Sequence, residues 1–319
     1  MAMPQRWHLS CLALLFCFLL LITERKVQRC FMAEKPYRKK RMKFSTQRNL
    51  LTYAILIFGV VISLVPFVWM ISTSLMNLGE ALGTAFFPSE LHFENYTEAW
   101  RRADFTEYFA NSILITLITL SGELTFSILA AYAFARMEFP GRDLIFNVML
   151  STMMIPAMVF TIPNFLTVTW LGRISPINWI NNWPSLTIPF MGSVFSIFML
   201  KQFFAQVPDE LYDAAQIDGA GHFRFLTQVV LPLSKAPLMV ILVLSFIGTW
   251  NSLAWPMLVT NTPDWRPISV GLMSFVTEAG QEINLTMAGA FITILPILII
   301  YFFTQKQFTE SIARSGLKG

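Results

Sequence analysis

Long apolar runs free of charge, separated by short polar segments, organise this chain. A helix needs about 20 apolar residues to cross a hydrocarbon core about 30 Å thick, because its backbone must satisfy its own hydrogen bonds there. Six runs reach that length: Asn49–Gly79, Tyr108–Ala135 with Glu123 as its interruption, Leu144–Gly172, one within Ile174–Leu200, Ala236–Pro263 and Ile283–Gln305. Asn178, Asn181 and Asn182 suit an interface better than hydrocarbon, so the fourth span is expected to start near Pro184. The pattern predicts an all-α integral membrane protein with six main helices.

Composition points the same way. Of the 319 residues 55% are hydrophobic and 13% charged, where soluble domains carry about 25% charged residues. That excludes a disordered chain, a disulfide scaffold and most soluble enzymes. The net charge of +4 misleads, because 11 of the 23 Lys and Arg residues lie between Arg6 and Arg48 and the remainder of the chain is net negative. The sequence pI near 9.0 therefore reports a basic leader rather than a nucleic-acid-binding surface. Cys11, Cys17 and Cys30 all lie in that leader.

Basic residues also give an orientation, since Lys and Arg are retained on the cytoplasmic side. The run from Lys35 to Arg48 places the start of the first main span inside. Residues 80–107, expected outside, hold six acidic residues against Arg101 and Arg102. Arg136, Arg142, Lys201, Arg224, Lys235, Lys306, Arg314 and Lys318 fall on the expected inner side, and an even number of spans leaves the C-terminal tail, residues 305–319, cytoplasmic. Within the leader, residues 1–48, the apolar run 8–22 is short for a span and suits a signal-peptide core. Three readings stand: an extra anchor helix, an uncleaved signal, or translated sequence ahead of a true start at Met42.

One connection is long and polar. The fourth and fifth spans are joined by residues 206–233, where Pro208 suits a first helical position and Asp209 and Glu210 complement the helix dipole. Ala214, Ala215 and Gly219 make a patch almost without side chains, with Ala215 and Gly219 expected to stack at i, i+4. Small residues of this kind admit another backbone or a groove; an amphipathic helix lying on the bilayer is the plainer alternative.

The spacing Asp213-Ala214-Ala215, Gly219, Val229, Leu231-Pro232 resembles the EAA loop of binding-protein-dependent ABC importer permeases, with Asp213 and Val229 as mild departures from the usual Glu and Ile. From Met42 onward, Asn111-Ser112, the Ala130–Gly141 segment, Ile155-Pro156, Trp250-Asn251, Pro256 and the terminal Leu317–Gly319 look like its carbohydrate-uptake, maltose-permease-like branch. The resemblance implies a type I importer transmembrane core over residues 109–304, in a multi-pass protein of the bacterial inner membrane. It also implies a second homologous permease subunit, a dimer of cytoplasmic ABC ATPases and an extracytoplasmic solute-binding protein as partners. The loop would dock on the ATPase through Asp213, Ala214, Ala215, Asp218, Gly219 and Ala220. ATP-Mg would be used by that partner, with no cofactor held by this chain.

The sequence contains no Gly-Lys pair for a P-loop and no Gly-x-Ser-x-Gly elbow, and His8, His92 and His222 are too scattered for a zinc motif. Glu123 is the one Asp, Glu, Lys, Arg or His inside the six runs, and an intramembrane carboxylate is a candidate for substrate contact or for an interhelical bond. Trp250, Asn251, Ser252 and Trp255 form a second candidate cluster, since aromatic faces and amides suit sugars; interface anchoring and helix packing are the competing roles. A secondary transporter or channel is the rival class, but such proteins place several ionisable groups or repeated broken helices at the midplane.

Overall fold

The computed structural model describes residues 46–277 and 280–315. The apolar run 8–22, the cysteines, Met42 and the terminal Leu317–Gly319 lie outside them. The chain divides into two units, one of residues up to Tyr96 with Glu282–Phe291, the other of Thr97–Gln281 with the chain from Ile292 onward.

In the first unit, helix α1 (Thr46–Ser74) carries Ile55, Phe58 and Ile62 on its surface, each more than half exposed. Such a stripe would drive association in water and is at home against acyl chains. After α1 the backbone is closed by the buried Asn95, whose Nδ2 donates to the carbonyls of Ser74 (2.9 Å) and Met76 (2.8 Å). Asn77 and Glu80 then form a capping box on the short helix Leu78–Ala81, satisfying backbone donors that a helix start leaves open.

The second unit is built around helix α2 (Phe105–Arg136). It is followed by α3 (Arg142–Ser151), α4 (Thr161–Ile174), α5 (Trp183–Thr187) and α6 (Val194–Phe204). Then come α7 (Asp209–Ile217) and α8 (Lys235–Trp250), and of α9 (Ile283–Ser315) the part from Ile292 onward belongs to this unit. Two residues on each side, Val276–Thr277 and Gly280–Gln281, pair as a small antiparallel ladder, the one departure from helix and loop among the described residues. Near the Arg136 end of α2 lies one core cluster, in which Ala131, Leu200, Phe204, Phe225 and Val230 are fully buried. A second cluster sits on Ile115, Val168, Leu186, Trp255 and Val259. Lipid tails are as apolar as leucine, so such helices associate by close packing rather than by escape from water. At Gly122 a Cβ would lie 2.5 Å from Cγ and Sδ of Met191, a measure of how near the chains approach.

Among the described residues, four helical segments are long and apolar enough to cross a membrane: Thr52–Ser74, Phe105–Arg136, Trp183–Phe204 and Ile283–Gln305. They fall on the first, second, fourth and sixth apolar runs, and the fourth starts one residue before Pro184, capped by Asn182. The third and fifth differ from the straight helices expected. Arg142–Met154 and Ala157–Ile174 meet at 99°, because Pro156 lacks an N–H and forces Ile155 into an extended conformation (φ −87°, ψ 126°). The fifth is bent by 81° where His222–Leu233 meets α8. Helix α8 itself stops at Trp250 rather than continuing to Pro263. Among the described residues up to six spans result when each bent pair counts as one.

Candidate functional site

Between α6 and the bend before α8 the chain builds a small projecting unit. Pro208 (φ −58°, ψ 142°) precedes α7 and Asp209 and Glu210 fill its first turn, where negative charge opposes the dipole. At the far end the Gly219 N–H donates to the Gln216 carbonyl (3.0 Å) and the Ala220 N–H to the Ala215 carbonyl (2.8 Å), with Gly219 left-handed at φ +76°. These are the two bonds of a Schellman motif. The expectation that Gly219 stacks above Ala215 on one helical face is therefore corrected: α7 ends at Ile217 and Gly219 is its terminator. Asp213, Ala214, Asp218 and Gly219 are exposed, Ala220 is half-buried, and Ala215 is half-buried because it packs on the cluster around Phe204 and Phe225. Beside this small-residue surface stand Ile217, 87% exposed, and Phe223, 73% exposed, two large apolar side chains that spacing alone did not single out.

The root of the unit is tied to α2 by Arg136, whose side chain is 8% exposed. Its Nε (3.1 Å) and Nη2 (2.8 Å) donate to the Phe204 carbonyl, Nη2 also donates to the Val207 carbonyl, and Nη1 pairs with the Asp209 carboxylate. One turn earlier the Tyr132 hydroxyl lies 3.0 Å from His222 Nδ1, and Tyr212 of α7 stacks on the same imidazole with ring centroids 5.3 Å apart. Arg136 was legible only as an inner-side charge; that it would meet a carboxylate 73 residues away has no sequence signal.

A cavity of about 370 Å³ opens elsewhere in the second unit. Its wall takes Ser112, Thr116 and Glu123 from α2, Ser193 ahead of α6, Ser245 and Thr249 from α8, and Ser252 and Trp255 beyond. Glu123 is 6% exposed, and its Oε1 accepts from the hydroxyls of Ser196 (2.7 Å) and Ser245 (2.8 Å). Trp255 donates its indole N–H to the Ser185 carbonyl (2.8 Å), which fixes the ring at the wall. Trp250 does not line the cavity: it is 1% exposed, stacks on Phe246 at 5.4 Å and donates to the Thr293 carbonyl (3.0 Å). Asn251 caps α8, its Nδ2 donating to the Ile247 carbonyl (3.0 Å), and is not one of the wall's residues. Of the five candidate pathway residues the structure thus brings three to one cavity and adds a ring of hydroxyls that α-helical spacing did not reveal.

The profile of the family "Binding-protein-dependent transport system inner membrane component" matches residues 123–309, which contain the projecting unit and most of the cavity wall. Among curated proteins, the diacetylchitobiose uptake system permease protein NgcG of Streptomyces coelicolor is 30% identical over 273 residues, covering 84% of this chain and 88% of that one. The sn-glycerol-3-phosphate transport system permease protein UgpE of Yersinia pestis is 34% identical over 207 residues, covering 64% and 72%. Among solved structures, a chain of a bacterial ABC transporter involved in import of the acidic polysaccharide alginate superposes with a TM-score of 0.73 at 24% identity, covering 86% of this chain and all of that one. The family match over more than half of the residues and the curated relatives place it: the chain belongs to the binding-protein-dependent transport system inner membrane components, the permease subunits of ABC importers.

Proposed function

We propose that this permease forms half of the transmembrane pathway of an ATP-driven importer for a sugar or related polar solute, and that α7 with the turn after it is its coupling element. The observation that carries the reading is the exposed surface of Asp213, Ala214, Asp218 and Gly219 on a helix capped at one end by a Schellman motif and anchored at the other by Arg136. A rigid knob with small side chains can seat deeply in a cleft of a cytoplasmic ATPase. Asp213 supplies a charge-assisted bond to a basic partner, and Ala215 and Ala220 set the depth. Ile217 and Phe223 offer apolar area around the small surface. Closure of the ATPase dimer on ATP-Mg would push this knob, and Arg136 and the Tyr132–His222–Tyr212 contacts would carry the displacement into α2. Energy comes from the partner, so this chain needs no hydrolytic site.

Support for a polar cargo comes from the hydroxyl-lined cavity and from relatives whose names specify diacetylchitobiose and sn-glycerol 3-phosphate uptake. A solute-binding protein would deliver it from outside; one solved relative is a bacterial alginate ABC transporter in complex with an alginate pentasaccharide-bound periplasmic protein. The test is Ala214→Trp in the complex reconstituted with its second permease, ATPase and solute-binding protein. Ala214 is helical and exposed, so bulk there should leave insertion and folding intact while abolishing ligand-stimulated ATP hydrolysis and transport. Unchanged stimulation in that variant would refute the docking role.

A further inference from the structure

Glu123 has an incomplete set of partners. Both serine hydroxyls that reach it bond Oε1, and no hydrogen bond from the described residues reaches Oε2, although the side chain is almost wholly buried and borders the cavity. Oε2 is left as an open acceptor on the cavity wall, free to take a donor from whatever occupies the cavity. The donors nearest to hand, Ser196 and Ser245, are already spent on the other oxygen, and Ser196 Oγ is also 3.0 Å from Ser193 Oγ. Across the same wall Trp255 is fixed by its bond to Ser185 and lies edge-on to Phe190 at 5.7 Å, so its ring is a preset apolar surface. Among the described residues of the wall there is no Lys, Arg or His.

From this juxtaposition we propose that Glu123 is the specificity-determining acceptor of a solute subsite for neutral, hydroxyl- or amide-bearing sugars, and that the subsite rejects anions. A sugar O–H or acetamido N–H would complete the shell of Oε2 while its C–H face lies on Trp255. A phosphate or uronate would instead bring a negative group against the Glu123 side chain, in a wall whose described residues supply no cation to offset it. The subsite therefore separates this permease from relatives named for sn-glycerol 3-phosphate and from the alginate importer. The inference rests on the reading of the chain as an importer permease.

The experiment measures binding of maltose, N,N′-diacetylchitobiose and sn-glycerol 3-phosphate to the complete reconstituted complex, with ligand-stimulated ATP hydrolysis recorded in parallel. Glu123→Gln keeps the shape and can keep both serine bonds, yet turns the Oε2 acceptor into a donor. It should weaken binding of the neutral sugar that the wild type holds by about tenfold or more, the weight of a hydrogen bond to a charged group. Glu123→Asp, which keeps the charge, should recover part of that loss. Wild type should show no binding of sn-glycerol 3-phosphate at concentrations that saturate the sugar. A coupled complex that holds neither sugar, that holds the phosphate as tightly, or whose Glu123→Gln variant binds like wild type overturns the subsite. A complex that assembles but shows no solute-stimulated hydrolysis with any binding protein overturns the importer reading instead.

Discussion

Arg136→Gln tests the anchorage of α7 at the residue on which it converges. The guanidinium serves three acceptors at once, and they differ in weight. Asp209 is 90% exposed, so its ion pair is worth about 0–1 kcal/mol. The carbonyls of Phe204 and Val207 are part-buried and take charged donors, each worth about 1.5–3 kcal/mol. The Phe204 carbonyl keeps the Val207 N–H (3.3 Å), so the loss comes to about 1.5–3 kcal/mol after allowing for one bond that the glutamine amide can rebuild. Lysine should rescue poorly, because a point charge cannot reproduce a fork that reaches two carbonyls and a carboxylate. The assay is amide hydrogen exchange over residues 204–218 in nanodiscs, beside thermal unfolding of the complex. Protection there should fall sharply in Arg136→Gln and little in Asp209→Asn. Equal costs for the two variants would show that the ion pair, not the carbonyl clamp, holds the root, and unchanged protection in Arg136→Gln would refute the argument.

Two further outcomes follow from local geometry. Gly219→Ala finds open space for its Cβ yet must hold φ near +76°, so it should loosen the end of α7 by about 1–2 kcal/mol, read as faster exchange at Asp218–Ala220; Gly219→Asn should lose less, since Asn tolerates that conformation. His92, whose Nδ1 lies 2.7 Å from Glu94 Oε1, has its pKa held above the ordinary 6.5 by that hydrogen bond and by neighbouring carboxylates. A raised folded value means the pair's stabilisation is complete below the unfolded pKa and is lost as pH rises through the folded one. Imidazole NMR titration should show the raised midpoint, and Glu94→Gln should return it toward 6.5.

The first, second, fourth and sixth spans were legible because freedom from charge over 20 residues has few other physical explanations. The break at Ile155 was not, although Pro156 stood in view: proline inside an apolar run is compatible with a gentle kink, and only neighbouring packing decides a turn of 99°. Gly219 shows the same limit. Its spacing from Ala215 fits a continuing helix, but glycine also ends helices, and the chain takes the second option. Trp250 and Trp255 are alike in sequence context, yet one N–H meets Thr293 inside the helical packing and the other meets Ser185 at the cavity wall. Which carbonyl each finds depends on residues 43 and 70 positions away, beyond any local pattern.

The bend at Ile155-Pro156 also bears on how such a subunit survives in the cell. Its two arms divide one apolar run near the middle, so the interruption falls at a depth where acyl chains offer no hydrogen bonds. Met154 and Met158, flanking it, are 86% and 82% exposed. The Ile155 N–H and the Pro156 carbonyl are satisfied within the bend, by the Thr152 carbonyl (3.2 Å) and the Val159 N–H (2.9 Å), so what the joint offers its surroundings is the two methionine side chains. An exposed apolar pair at a fixed bend is a surface that a neighbouring apolar body can cover, and Met154→Lys with Met158→Lys should lower the accumulation of membrane-inserted protein.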